Sequence, residues 1–312
     1  MKDAATRDGY GAALEEIGQD PRIVVLDAGV SDSTRTNKFG KKYPERFFNM
    51  GISEADMVCT AAGLATTGKV AFATSFACFL LGRTMDQVLV SLAYSDTNVK
   101  LVGTHCGIAV GEDGPTAQMI VDLAYTRAMP NLTVIQPADW REAVLATQAL
   151  VEHRGPVYMR LGRPKVKGIY DASHRFEIGK ANVLRQGKQA AIFATGIMVQ
   201  ESLLAVAKLK EEGIDAALIN ISTIKPIDRE TVARQAKQNG AVVTAEDHNV
   251  IGGMGDAVMD VLMENEIRVP FKKIGVKDRF AETGSASDLF NKYGLSYPHI
   301  VDAVKEVCRK KD

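Results

Sequence analysis

The sequence has no surplus of charge of either sign. Lys plus Arg and Asp plus Glu both number 38 in 312 residues, so the formal net charge is zero. A chain so balanced gives no electrostatic reason to expect nucleic acid or an anionic membrane as partner, and no large charge keeps its copies apart. Long apolar runs are also missing: none approaches the roughly 18–20 residues that span a bilayer. The opening stretch MKDAATRDGYGAALEEIG contains acids and lacks an apolar signal core, so a cytoplasmic protein is expected. Cysteine is scarce. Cys59, Cys78, Cys106 and Cys308 form no CxxC pair and no metal knuckle, which points to free thiols in a reducing compartment and to no metal site. There is no P-loop, no GxGxxG opening a helix after the first strand, no short-period repeat and no low-complexity tract.

What is present is an alternation. Hydrophobic residues make up 46% and charged residues 24%, the balance of a globular chain with length for about two domains. The runs RIVVLDAG, KVAFATSF, NVKLVGTH, LTVIQP and PVYMRL read as strands. Helical patterns near 4–17, 53–67, 79–95, 116–128 and 138–152 lie between them. This rhythm predicts a mainly parallel sheet with helices on both faces, and a site beyond the carboxyl ends of the strands. After a polar stretch the pattern restarts with QAAIFATG, IDAALINIST, GAVVTAEDH and KKIGV, with helices near 197–212, 226–238, 253–265 and 296–310. The expected fold class is therefore α/β, as two such units: residues 1–165, a linker 166–184, and 185–312. STIKPID reads as a loop into a helix, with Pro226 at its entry.

Several residues carry possible chemistry. In NMGISEADMVCTAAGLA, Glu54 heads a stripe continued by Val58, Ala61, Ala62 and Ala65, where desolvation of a carboxylate is costly. Ser53 as N-cap with Asp56 as capping-box acid would explain an acid near the helix start, but not one on the apolar stripe. The loop GTHCGIAVGEDGPTAQ carries Gly107, Gly111 and Gly114 beside His105, Glu112 and Asp113; it reads either as a ligand-approaching loop or as a solvated surface connection. Phe76 and Phe79 read either as core or as a flat wall for a planar ring. Arg7, Arg160 and Arg163 fall at strand ends or helix starts, and two of them converging with a hydroxyl such as Ser31 would suit a phosphate. His153, His174, His248 and His299 suggest no chemistry, and the GGxG after His248 reads as a turn.

Taken together, ATRDGYGAAL, DAGVSDS, GISEAD, ATSFACF, GTHCGIAVGEDGPT, PVYMRLGR and STIKPID resemble the transketolase family, in order and across nearly the whole chain. The resemblance implies a pyrimidine-binding domain followed by a C-terminal domain. The family's diphosphate-binding domain, with its Gly-Asp-Gly motif and downstream Asn, has no counterpart here. The chain thus resembles the C-terminal subunit of a split transketolase, and a partner chain is expected to supply the thiamine diphosphate tail and Mg²⁺ contacts, in an α2β2 assembly.

The resemblance also implies roles. Glu54 would hydrogen-bond N1′ of the aminopyrimidine, favouring the imino tautomer that deprotonates C2 of the thiazolium. Phe79 would face the aminopyrimidine, Phe76 would line the same pocket, and Asp27 would lie near the thiazolium. His105 would hydrogen-bond the oxygen at the reacting carbon of a ketose, and Asp113 would read a sugar hydroxyl. Arg7, Ser31 and Arg160 would grip the sugar phosphate. Many members have His just after the GEDGPT segment; here Ala117 stands there, followed by Gln118, so a substrate contact is lost or Gln118 or a partner group replaces it. The implied activity is transfer of a two-carbon ketol unit between sugar phosphates. The alternatives are the β subunit of a 2-oxo acid dehydrogenase E1 component, a 1-deoxyxylulose 5-phosphate synthase relative, and a non-catalytic scaffold or regulatory subunit.

Overall fold

The β-branched runs form strands buried along their whole length, as parallel sheets covered on both faces require. The computed structural model describes residues 1–311. In chain order the strands are β1 (Ile23–Asp27), β2 (Phe47–Asn49), β3 (Val70–Phe76), β4 (Val99–Thr104), β5 (Thr133–Ile135) and β6 (Val157–Arg160). They continue with β7 (Asn182–Arg185), β8 (Ala190–Ala194), β9 (Ala216–Asn220), β10 (Thr223–Lys225), β11 (Val242–Asn249) and β12 (Phe271–Val276).

Two sheets result. The first is seven-stranded, in the order β10-β5-β6-β4-β3-β1-β2, and parallel except for β10. The second is five-stranded, in the order β12-β11-β8-β9-β7, and parallel except for β7. The chain is thus α/β with two mainly parallel sheets and helices. Thr223–Lys225 belongs in sequence to the second unit yet pairs with β5 of the first, so the units share a strand.

Three details differ from the sequence reading. STIKPID is not simply a loop into a helix: Thr223–Lys225 is a strand, and the helix starts at Arg229 with Asp228 accepting from Thr231 N. Pro226 therefore precedes the cap rather than opening the helix. The pattern near 79–95 is not one helix. It breaks into Ala77–Gly82, Met85–Gln87 and a wide-turned stretch Val88–Tyr94. β7 begins at Asn182, inside the stretch read as linker.

The carboxyl ends of β1, β3 and β4 gather Asp27, Phe76 and the loop from His105 onward. The second unit covers the far side of that loop. Ala109 and Ile120 pack into the hydrophobic cluster built from Ile192, Val243 and Leu289.

Candidate active site

The helix Glu54–Thr66 buries Glu54, Met57, Val58, Ala61 and Ala62, so the acid heads an apolar face as its spacing implies. Ser53 does not cap it with its side chain. The Glu54 carboxylate, only 4% exposed, is met by Arg83, whose Nη1 lies 2.9 Å from Oε1 and 3.0 Å from Oε2. The guanidinium carbon of Arg83 stands 4.4 Å from the centre of the Phe79 ring. Phe79 stacks on Phe76 at 5.7 Å and 15°, and Phe76 stacks on the His105 imidazole at 3.8 Å and 28°. A continuous ladder of flat groups thus runs from Arg83 beside Glu54 to His105.

At the other end of the ladder, His105 has a positive φ of 57° and is 2% exposed. Its Nε2 lies 2.9 Å from Arg7 Nη1 and its Nδ1 lies 2.9 Å from Thr104 Oγ1. A guanidinium can only donate, so Nε2 accepts and Nδ1 carries the hydrogen. Burial first, then the nearby Arg7, Arg163 and Arg35, hold the imidazole neutral and lower its pKa from 6.5 to about 3. With Nε2 occupied as an acceptor, His105 has no N–H free for a substrate oxygen; the available donor there is Arg7. Arg163 adds a cation 3.6 Å from Asp113 Oδ1 and 3.2 Å from Glu112 Oε2. Arg35 is held to Asp8 at 2.7 Å.

Other expected site residues sit differently. Arg160 does not reach the cleft. It is 1% exposed, with Nε 2.6 Å from Asp122 Oδ2 and Nη2 3.0 Å from both Met119 O and Asp247 O. Its place at the end of β6 turns it into the join between the two units. Arg163, past Leu161 and Gly162, is the arginine of MRLGR that shares the cleft with Arg7. Asp27 is wholly buried and spent on its own loop, accepting from Val30 N at 2.7 Å, Thr34 Oγ1 at 2.7 Å and Thr36 Oγ1 at 2.8 Å. It therefore shapes the turn that holds Ser31 and Arg35, at the carboxyl end of β1. Ser31 opens the short helix Ser31–Thr34, half-buried, while Arg7 Nη1 reaches Ser33 O at 2.9 Å. Gln118 turns away from the cleft, its Nε2 donating to Gly111 O at 3.3 Å and Glu282 O at 3.0 Å, so it does not stand in for a substrate-reading histidine.

Two residues were not anticipated. Arg83 could have been found from its i,i+4 spacing to Phe79 at the end of a short helix. Arg35 sits at φ 72° after a four-residue helix, a placement with no signal in the sequence. The GGxG after His248, read as a turn, lies where a bend enters the helix Met254–Glu264, with Gly253 at its N-cap and Gly255 inside it. Glu246 accepts from Met254 N at 2.6 Å and Gly255 N at 2.8 Å, so that helix start already has its acid.

The place over Phe79 and beside Glu54 is held by the Arg83 guanidinium, a flat hydrogen-bonding group. Three guanidiniums, Arg7, Arg35 and Arg163, all act on His105 from the other end and suit a tetrahedral oxyanion. Among the described residues no group of three or more His, Cys, Asp or Glu is placed to hold a metal ion. All four cysteines are free. Among the described residues no helix is long and apolar enough to cross a membrane.

Known proteins resemble the chain throughout. The family pattern for the transketolase pyrimidine binding domain matches residues 2–168, and that for the transketolase C-terminal domain matches 179–300. A putative transketolase C-terminal section from Methanocaldococcus jannaschii is 44% identical, over 98% of this chain and 96% of that protein. The 6-deoxy-6-sulfo-D-fructose transketolase subunit SqwH of Clostridium sp. strain MSTE9 is 42% identical, over 98% of this chain and 95% of that protein. A solved structure described as an inactive β4 tetramer of a split gene transketolase superposes with a TM-score of 0.93 at 45% identity, covering 99% of this chain and 100% of that one.

Proposed function

The chain belongs to the transketolase family, and from that premise we propose that it is one subunit of a thiamine-diphosphate-dependent ketol transferase. The observation that carries this reading is the buried Glu54 carboxylate beside the Phe79–Phe76 wall, with His105 and its three arginines at the other end of the same ladder.

Glu54 would hydrogen-bond the aminopyrimidine and hold a proton at its own carboxylate, with Arg83 turned aside. Phe79 gives that ring its flat face, and Phe76 separates it from the polar end of the cleft. When bound, thiamine diphosphate supplies the carbon that accepts and hands on the ketol unit. This chain's residues orient the sugar. Arg7 and Arg163, with Arg35 beside them and Ser31 on the rim, bind its terminal anion through charge-assisted hydrogen bonds. An anion that draws Arg7 away frees His105 Nε2 for the ketose, with the imidazole proton moving to that side. Asp113 accepts from a sugar hydroxyl; its carboxylate is exposed in this chain, 3.6 Å from Arg163, and is covered only once the substrate and the other chain are in place. In the overall reaction the C2–C3 bond of a ketose phosphate breaks, an aldose phosphate two carbons shorter leaves, and the two-carbon unit joins an acceptor aldose phosphate.

A separate chain carrying the diphosphate-binding domain supplies the grip on the cofactor's tail and on Mg²⁺, in an α2β2 assembly in the cytoplasm. Support for this comes from relatives described as a section and a subunit, which the chain matches over 96% and 95% of their length. The β4 tetramer described as inactive supports both self-association and the need for another chain. Phosphate is the first choice of terminal anion. Sulfonate is the second, because SqwH is named for a sulfo sugar.

The test is reconstitution. The chain, a transketolase N-terminal-section partner, thiamine diphosphate and Mg²⁺ are assayed with xylulose 5-phosphate and ribose 5-phosphate, and with pyruvate in place of the ketose. Ketol transfer requiring both chains is expected. Transfer by this chain alone would overturn the subunit reading, and turnover of pyruvate without ketol transfer would overturn the substrate class.

A further inference from the structure

The stretch Ile108–Asp113, two short turns joined by a kink at Gly111 (φ 81°), begins without a cap of its own. The first N–H groups of any such turn lack partners within it, and a side chain at the preceding residue ordinarily accepts from them. Here that residue is Gly107, at φ 74°, which has no side chain to offer. The acceptor comes from the other unit. Asp247, at the end of β11 and 1% exposed, takes Ile108 N on Oδ1 at 2.9 Å and Ala109 N on Oδ2 at 3.1 Å.

The fit is close. A Cβ on Gly107 would stand 2.0 Å from Asp247 Oδ2. The same stretch is pinned at further points: Asn249 N donates to Ile120 O at 2.8 Å, and Gln118 Nε2 reaches Glu282 O at 3.0 Å. Arg160 Nη2 joins Met119 O to the backbone oxygen of Asp247 itself. His105 lies three residues before Ile108 and Asp113 ends the stretch, so the carboxylate of Asp247 holds the segment between the two residues read as substrate contacts.

We infer that Asp247 is a positioning residue for ketose recognition: the C-terminal unit caps the turn that sets His105 and Asp113 against the substrate. This rests on the reading of His105 and Asp113 as substrate contacts. It gives the C-terminal unit a part in recognition as well as in assembly. Asp247 touches neither substrate nor cofactor, so its loss should leave cofactor activation at Glu54 intact.

The test uses the reconstituted complex with Asp247→Asn, which keeps the size of the side chain and gives up one of the two acceptors, and with Asp247→Ala. For Asp247→Asn the KM for xylulose 5-phosphate should rise about tenfold or more. The exchange rate of the C2 proton of bound thiamine diphosphate should stay at the wild-type value. Backbone amides of Ile108 and Ala109 should exchange with solvent at least tenfold faster, while amides of β1 and β3 are unchanged. Asp247→Ala should be worse than Asp247→Asn; if it does not fold, the asparagine variant carries the test. Unchanged KM with the two amides exposed would overturn the inference, as would unchanged protection of those amides. So would a C2 exchange rate that falls in step with kcat/KM, since that marks a general loss of structure. A wild-type complex that transfers no ketol unit would instead overturn the functional reading, and the amide protection would still report whether Asp247 caps the turn.

Discussion

Nη1 of Arg83 lies 2.9 Å from one oxygen of Glu54 and 3.0 Å from the other. The acid is buried, whereas the arginine side chain is 49% exposed. One partner is thus held by the fold and the other can turn to water. This asymmetry separates the acid's part in stability from its part in chemistry.

Glu54→Ala should therefore leave the fold nearly untouched while removing activity. The freed Arg83 can be hydrated, and an ion pair with one exposed partner contributes about 0–1 kcal/mol. Ketol transfer by the reconstituted complex should fall by about a thousandfold or more, at about 1.4 kcal/mol of barrier per factor of ten. Thermal unfolding and steady-state kinetics on the same preparation check both halves. A variant that loses a large share of its stability along with its activity would contradict the account.

The two arginines of MRLGR should behave in opposite ways. Arg163→Ala removes a half-buried donor near His105; KM for a phosphorylated ketose should rise, with little change for an unphosphorylated one such as erythrulose. Arg160→Ala leaves Asp122 buried with its cation gone, which costs about 3–5 kcal/mol. Its signature should be lost stability rather than a raised KM. Urea unfolding and paired KM measurements distinguish them, and a stable Arg160→Ala protein with a phosphate-specific KM defect would reverse the assignment.

His105 should remain neutral through the physiological range. Its pKa is lowered to about 3 by burial and then by Arg7, Arg163 and Arg35, against 6.5 unperturbed. The sign follows by linkage. As pH falls from about 6.5, the unfolded chain takes up a proton that the folded chain refuses, so this residue's contribution to stability declines toward pH 3 and then levels off. Imidazole ¹⁵N shifts should show Nδ1 protonated and Nε2 bare from pH 8 to 5. Titration of His105 near 6.5 would show that the Arg7 contact is not maintained.

Much of the fold was legible because its central strands are unbroken β-branched runs: IVVLD and VKLVGT need no tertiary information to be recognised. β2, β7 and β10 were missed because each is a short edge strand of three or four residues, without enough length to show a period. At the site, the burial of Glu54 at the head of an apolar face was legible from local spacing, whereas Phe79 and His105 drew a role only from the family resemblance. Arg160 was misread because its sequence neighbourhood matches that of Arg163. What separates them is the Asp122 carboxylate and the backbone carbonyl of Asp247, brought from distant parts of the chain. The bonding of Asp27 was not legible for the opposite reason: its partners Val30, Thr34 and Thr36 are close in sequence, but only the folded turn brings all three onto its carboxylate.

The exchange of the C2 proton of thiamine diphosphate for deuterium in the reconstituted complex, followed by NMR after acid quench, tests the role of Glu54 without any sugar present. Wild-type complex should exchange far faster than free thiamine diphosphate, and the Glu54→Ala complex, with cofactor still bound, should be slower than wild type by about two orders of magnitude or more. Equal exchange rates in the two complexes would contradict the account, because the buried carboxylate would then have no part in activating the cofactor.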